Sequence, residues 1–117
     1  MMDNNPFIGA WQLVSGECGE PGQTVEIYDM NALSSRKVIT ERHFTFLTLK
    51  DGAFYASASG TYTFDAERYT ESPDMASYGA MVGQSYVFQF QLIDDLWHNR
   101  RFEGERQVEY EIWRRVG

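Results

Sequence analysis

Tyr86-Val87-Phe88-Gln89-Phe90-Gln91-Leu92-Ile93 sets Tyr86, Phe88, Phe90 and Leu92 on one side of the chain and Val87, Gln89, Gln91 and Ile93 on the other. Alternation at a period of two predicts a half-buried strand, with its aromatic face inward. Toward the C-terminus, Asp94-Asp95 turns the chain into a strand over 96–102, Gly104 turns it again, and a last strand runs over 107–116. Toward the N-terminus, 73–83 is the longest irregular stretch. It carries Met75, Tyr78 and Met81, and reads either as a flap over a cavity mouth or as an ordinary surface loop. Further upstream, strands are expected over 68–72, 54–64, 43–49, 37–40, 24–29 and 9–16. They are separated by Asp65-Ala66-Glu67, Asp51-Gly52, Glu41-Arg42, 31–35 and Gly19-Glu20-Pro21-Gly22, with Gly60 a bulge. Asn4-Asn5-Pro6-Phe7 predicts one short N-terminal helical turn. An antiparallel sheet of about 8–10 strands leaves raw edges unless its first and last strands meet, so the expected fold is all-β, a single closed antiparallel barrel.

Composition narrows the partners. With 117 residues the chain makes one domain over 1–117. Its 17 acidic and 10 basic side chains give a net charge of -7, which argues against nucleic acid and against anionic lipid surfaces. Cys18 is the one cysteine, so no intramolecular disulfide can form, and no stretch approaches the roughly 20 apolar residues of a membrane span. The opening Met1-Met2-Asp3-Asn4-Asn5-Pro6 has neither a basic region nor an apolar run, which points to the cytoplasm. A secreted form stripped of its leader would carry the same text.

Residues two apart on a strand share a face, so Tyr69 pairs with Glu71, Trp97 with Asn99, and Glu111 with Trp113. If these faces are interior, aromatic walls carry a few directional polar groups, joined by Phe88, Tyr62 and His43, as a small-molecule pocket requires. The last strand reads both ways, because Val108, Tyr110 and Ile112 form its more apolar face and would equally fill a core. Trp11 is a candidate seal for the narrow end, locked by a guanidinium from Arg114 or Arg115. For acid–base chemistry the candidates are Glu71, His43 and His98, since burial among rings disfavours a charged carboxylate and histidine exchanges protons near neutrality. No nucleophile triad, phosphate loop or metal-ligand spacing is legible, and no cofactor is expected.

The run Asn5-Pro6-Phe7-Ile8-Gly9-Ala10-Trp11-Gln12-Leu13-Val14-Ser15, the pair His43-Phe44, the stretch Gly60-Thr61-Tyr62-Thr63, the triplet Tyr69-Thr70-Glu71 and the ending Glu111-x-Trp113-x-Arg115-Val116 resemble the bacterial lipocalin-like proteins of the DUF4488 type. The resemblance spans nearly the whole chain. It implies a calycin-like barrel from a family whose members are mostly uncharacterised and many of them exported. It also implies an inward Glu111 and Trp113, which leaves an apolar outer face on the last strand that a homodimer contact would cover. The function expected is binding of a small hydrophobic or aromatic molecule inside the barrel. The alternatives are a cofactor-independent isomerase, cyclase or lyase, and a barrel filled by its own side chains.

Overall fold

Period-two alternation resolves into nine strands in the computed structural model, which describes residues 4–117. Met1, Met2 and Asp3, the opening of the segment read for an export signal, lie outside the described residues. In chain order the strands are β1 (Gly9–Cys18), β2 (Glu26–Ile27), β3 (Leu33–Ile39), β4 (His43–Lys50), β5 (Ala53–Phe64), β6 (Arg68–Ala76), β7 (Tyr86–Ile93), β8 (Leu96–Glu103) and β9 (Arg106–Arg115). Each from β3 to β8 pairs antiparallel with the next, and β1 lies between β3 and β9. The first and last long strands therefore meet, and eight strands form a closed barrel. The ninth, β2, is a two-residue addition at the far end of β1, where Glu17 and Cys18 face Ile27 and Glu26.

Two expectations about local structure change. The stretch 4–7 forms a hydrogen-bonded turn rather than a helical one, with Asn5 Oδ1 accepting the Phe7 N–H at 3.0 Å. Among the described residues the single helical element is a 3-10 turn, Gly79–Met81. Likewise β6 continues through Pro73 to Ala76, where an irregular stretch was expected. Proline is tolerated there because it sits opposite Gly60, at a bulge between Ser59 and Gly60. Gly60 is required by proximity: a Cβ at this position would meet the carbonyl oxygen of Ser72 and lie 2.7 Å from Pro73 Cα.

A second bulge, between Leu13 and Ser15, shifts the phase of β1. Trp11 and Leu13 point inward before it, and Gly16 and Cys18 after it. One end of the barrel is solid. Phe7 fills it, its ring centroid 4.9–5.1 Å from those of Phe64, Tyr69, Phe90 and Trp97. Trp11 packs edge-on against Trp97 at 5.2 Å and donates from Nε1 to the Phe7 carbonyl at 2.9 Å. The lock is Arg115 and not Arg114. Its guanidinium stands 4.3 Å over the Trp11 ring and donates to the carbonyls of Ile8 (2.8 Å) and Pro6 (2.6 Å), whereas Arg114 is exposed.

Candidate functional site

The other half of the barrel is not filled. A cavity of about 950 Å³ lies above the aromatic plug, with Phe46, Phe88, Tyr86 and Trp113 among its apolar walls. Leu33 and Tyr55 extend those walls, and Met81 of the 3-10 turn joins them, so part of the predicted flap does face the cavity.

At its floor Lys37 is paired with Glu71 at 2.8 Å, both side chains almost wholly buried. Two charges removed from water at such depth are tolerable only as a pair with further partners. Tyr69 supplies one, donating its hydroxyl to the same Glu71 oxygen at 2.8 Å. The Lys37 ammonium stands 4.8 Å from the Trp113 ring, 5.0 Å from Trp97 and 5.7 Å from Tyr69, a set of cation–π contacts that replaces its lost hydration. Burial, then the Glu71 charge, drives the Tyr69 hydroxyl far above its ordinary range, so it stays a donor.

Glu111 is the second inward carboxyl. Its one hydrogen-bond partner among the described residues is the Tyr28 hydroxyl, 3.0 Å away. Although part of Glu111 faces the cavity, desolvation, then the neighbouring Glu109 carboxylate, pushes its pKa up to about 8 against the pull of Lys37. Burial and the nearness of Glu111 likewise raise the Tyr28 hydroxyl. Tyr28 enters the barrel because Gly16 leaves it room: a Cβ there would lie 2.5 Å from Tyr28 Cδ2, and Tyr28 N–H bonds to the Gly16 carbonyl at 2.9 Å. Glu109, in contrast, is held by Arg101 at 2.9 Å, and Arg101 also reaches Glu20 at 2.8 Å.

Of the residues predicted to bind, Phe88, Glu71, Glu111 and Trp113 line the cavity. Tyr69, Trp97 and Asn99 are inward but belong to the packed floor. Tyr62 is part of the solid end, donating to the Thr40 carbonyl at 2.6 Å and accepting from Asn5 Nδ2 at 2.7 Å. The histidines are corrected. His43 is exposed, outside the barrel and one position out of phase with buried Phe44, so the pair Glu71 with His43 is not brought together. His98 alternates with the buried Trp97 and Asn99, and its Nδ1 is bonded at 2.8 Å to the hydroxyl of Tyr110 on the outer face.

Sequence reasoning missed Lys37, Tyr28 and the Arg101–Glu109 pair. Period two from Ile39 would have placed Lys37 inward, and Glu109 shares a face with Glu111. Tyr28 was read within a strand over 24–29, which in the structure shrinks to Glu26–Ile27, so alternation gave no guide to its direction.

A family model, Domain of unknown function (DUF4488), matches residues 6–117. The chain belongs to the DUF4488 family. Among solved structures, this DUF4488 barrel is similar to an uncharacterized protein from Bacteroides eggerthii DSM 20697, at 16% sequence identity and a TM-score of 0.61, over 94% of this chain and 99% of that one. At that identity the likeness concerns the fold. No protein of curated function matches the chain.

Proposed function

We propose that this DUF4488 barrel is a lipocalin-like container that binds a small, largely apolar or aromatic molecule. The observation that carries the reading is the half-empty lumen: about 950 Å³, walled by aromatic rings and ending on a few convergent polar groups. Pockets of this size and mixture suit small organic ligands, with apolar area supplying affinity and the polar groups fixing orientation. No described helix is long and apolar enough to cross a membrane. The acidic balance keeps the reading to a small molecule rather than a nucleic acid or an anionic lipid surface.

The test is thermal unfolding of the purified protein with a panel of neutral polycyclic and long-chain apolar compounds, with native mass spectrometry to count bound molecules. A ligand present at about 100 times its Kd adds about 2.7 kcal/mol, which raises Tm by several degrees. Ala56→Phe, which puts a ring into the lumen from β5, should weaken the response for the bulkier compounds of the panel. A flat response across the panel from the wild type would overturn the proposal.

One observation favours a second reading, an acid–base enzyme. Glu71 is held by Lys37 and Tyr69, and both histidines lie outside, but Glu111 combines a cavity position with a pKa near 8. An enzyme would lose turnover and keep ligand-induced stabilisation in Glu111→Gln.

A further inference from the structure

The inner carboxyls leave two acceptors open to the lumen. On Glu71 both hydrogen bonds, from Lys37 Nζ and from the Tyr69 hydroxyl, fall on Oε2. On Glu111 the Tyr28 hydroxyl also bonds to Oε2. Among the described residues, then, neither Oε1 has a partner. Neither is sealed off: the unpartnered atoms closed to water are Asn99 Nδ2 and Trp113 Nε1, whereas Glu71 and Glu111 both line the cavity. Glu71 is only 6% exposed and faces inward, so the surface its carboxyl keeps opens into the lumen.

The charges around these oxygens decide what can meet them. Lys37 is already matched by Glu71, and Arg101 is shared between Glu109 and Glu20. Among the exposed lining residues Glu26 and Asp29 outnumber Lys50. Glu111 is left without a balancing cation, since desolvation and the Glu109 charge outweigh the pull of Lys37 on its carboxyl. An anion entering this lumen meets net repulsion, and a neutral donor fills an oxygen without offsetting the charge. A metal ion is poorly served, because among the described residues no three of His, Cys, Asp and Glu gather closely enough to hold one. An organic cation fits on each count. Its N–H groups supply what the open oxygens lack, its charge offsets Glu111, and the rings of Phe46, Tyr86 and Phe88 stand ready for an apolar body.

Resting on the reading of the lumen as a ligand site, we infer that its ligand carries a protonated amine on a flat apolar body, with the ammonium bonded to Glu111 Oε1. Glu71 adds to the negative field there, and the opposing charge of Lys37 is offset at 2.8 Å by that same Glu71.

The experiment measures, by equilibrium dialysis at pH 8, the binding of four naphthalenes substituted at one ring position: naphthylethylammonium, naphthylethanol, propylnaphthalene and naphthylacetate. At that pH about half of the Glu111 carboxyls are already ionised. The ammonium and the alcohol place a donor at the same point of the chain and differ in charge. The ammonium is expected to bind roughly tenfold more tightly than the alcohol, and naphthylacetate the most weakly of the four. In Glu111→Gln, which keeps the size of the side chain and loses its charge, the ammonium's advantage over the alcohol should shrink to about threefold or less. Wild-type binding of the alcohol as tight as that of the ammonium overturns the amine site and leaves the container intact, as does tightest binding of naphthylacetate. An undiminished ammonium advantage in folded Glu111→Gln also overturns it. Failure of all four compounds to bind would bring down the container reading together with the amine site. If Glu111→Gln does not fold, the wild-type ratio of ammonium to alcohol carries the decision.

Discussion

Glu111 is a carboxyl with more negative than positive neighbours in a place with little water, and its protonation is tied to folding. Its pKa is raised from 4.5 to about 8 in the folded protein, so the native state binds this proton more tightly than the unfolded chain. That contribution is fully present below the unfolded value and is lost as pH rises through the folded one. The wild type should therefore lose on the order of 3 kcal/mol between about pH 5 and pH 9 from this group. Glu111→Gln, a permanent mimic of the protonated form, should flatten the curve and be the more stable protein at the alkaline end. Urea unfolding at a series of pH values checks this, and parallel curves for the two proteins would contradict it.

Among elements, β5 and β6 depend on one small residue. Because a Cβ at Gly60 would run into backbone rather than into a movable side chain, Gly60→Ala should cost at least about 2 kcal/mol in urea unfolding. A change within a few tenths would mean that the bulge has slack. The alternation of β7 was legible from eight residues, and period two put Tyr69 with Glu71 and Glu111 with Trp113 on shared faces, which the structure turns inward; on β9, where Val108, Tyr110 and Ile112 read equally as core, only the family resemblance implied that side. The same periodicity went unused at Lys37, because a charged side chain beside Val38 and Ile39 looks solvated until its partner Glu71, three strands away, is known. Tyr28 was harder still. Its inward course depends on the bulge that turns Gly16 toward the lumen, a change of phase that composition does not announce. Pro73 misled in the opposite direction, suggesting a break where a bulge lets the strand continue. On β9 the apolar outer face that suggested a homodimer is partly covered within the chain: Val108 is 1% exposed, and Tyr110 is covered by His98 and Arg100.

The whole molecule is held shut by the pairing of β1 with β9 and by the guanidinium of Arg115 bridging the N-terminal turn. Arg115→Ala removes two hydrogen bonds to carbonyls and a cation–π contact, and should cost about 1–3 kcal/mol. The loss should be local. Amide exchange ought to quicken at Trp11, Gln12 and Trp113 along that seam while the β4–β5 ladder keeps its protection, whereas uniform acceleration would mean that the seam is no weaker than the rest. Among the described residues, a barrel stoppered at one end by Phe7 opens at the other, and that sets a direction of travel. If the lumen holds the ligand proposed above, that guest would have to enter and leave by the same opening. Its length would then be limited in only one direction, so that a molecule longer than the chamber could leave its tail in solvent.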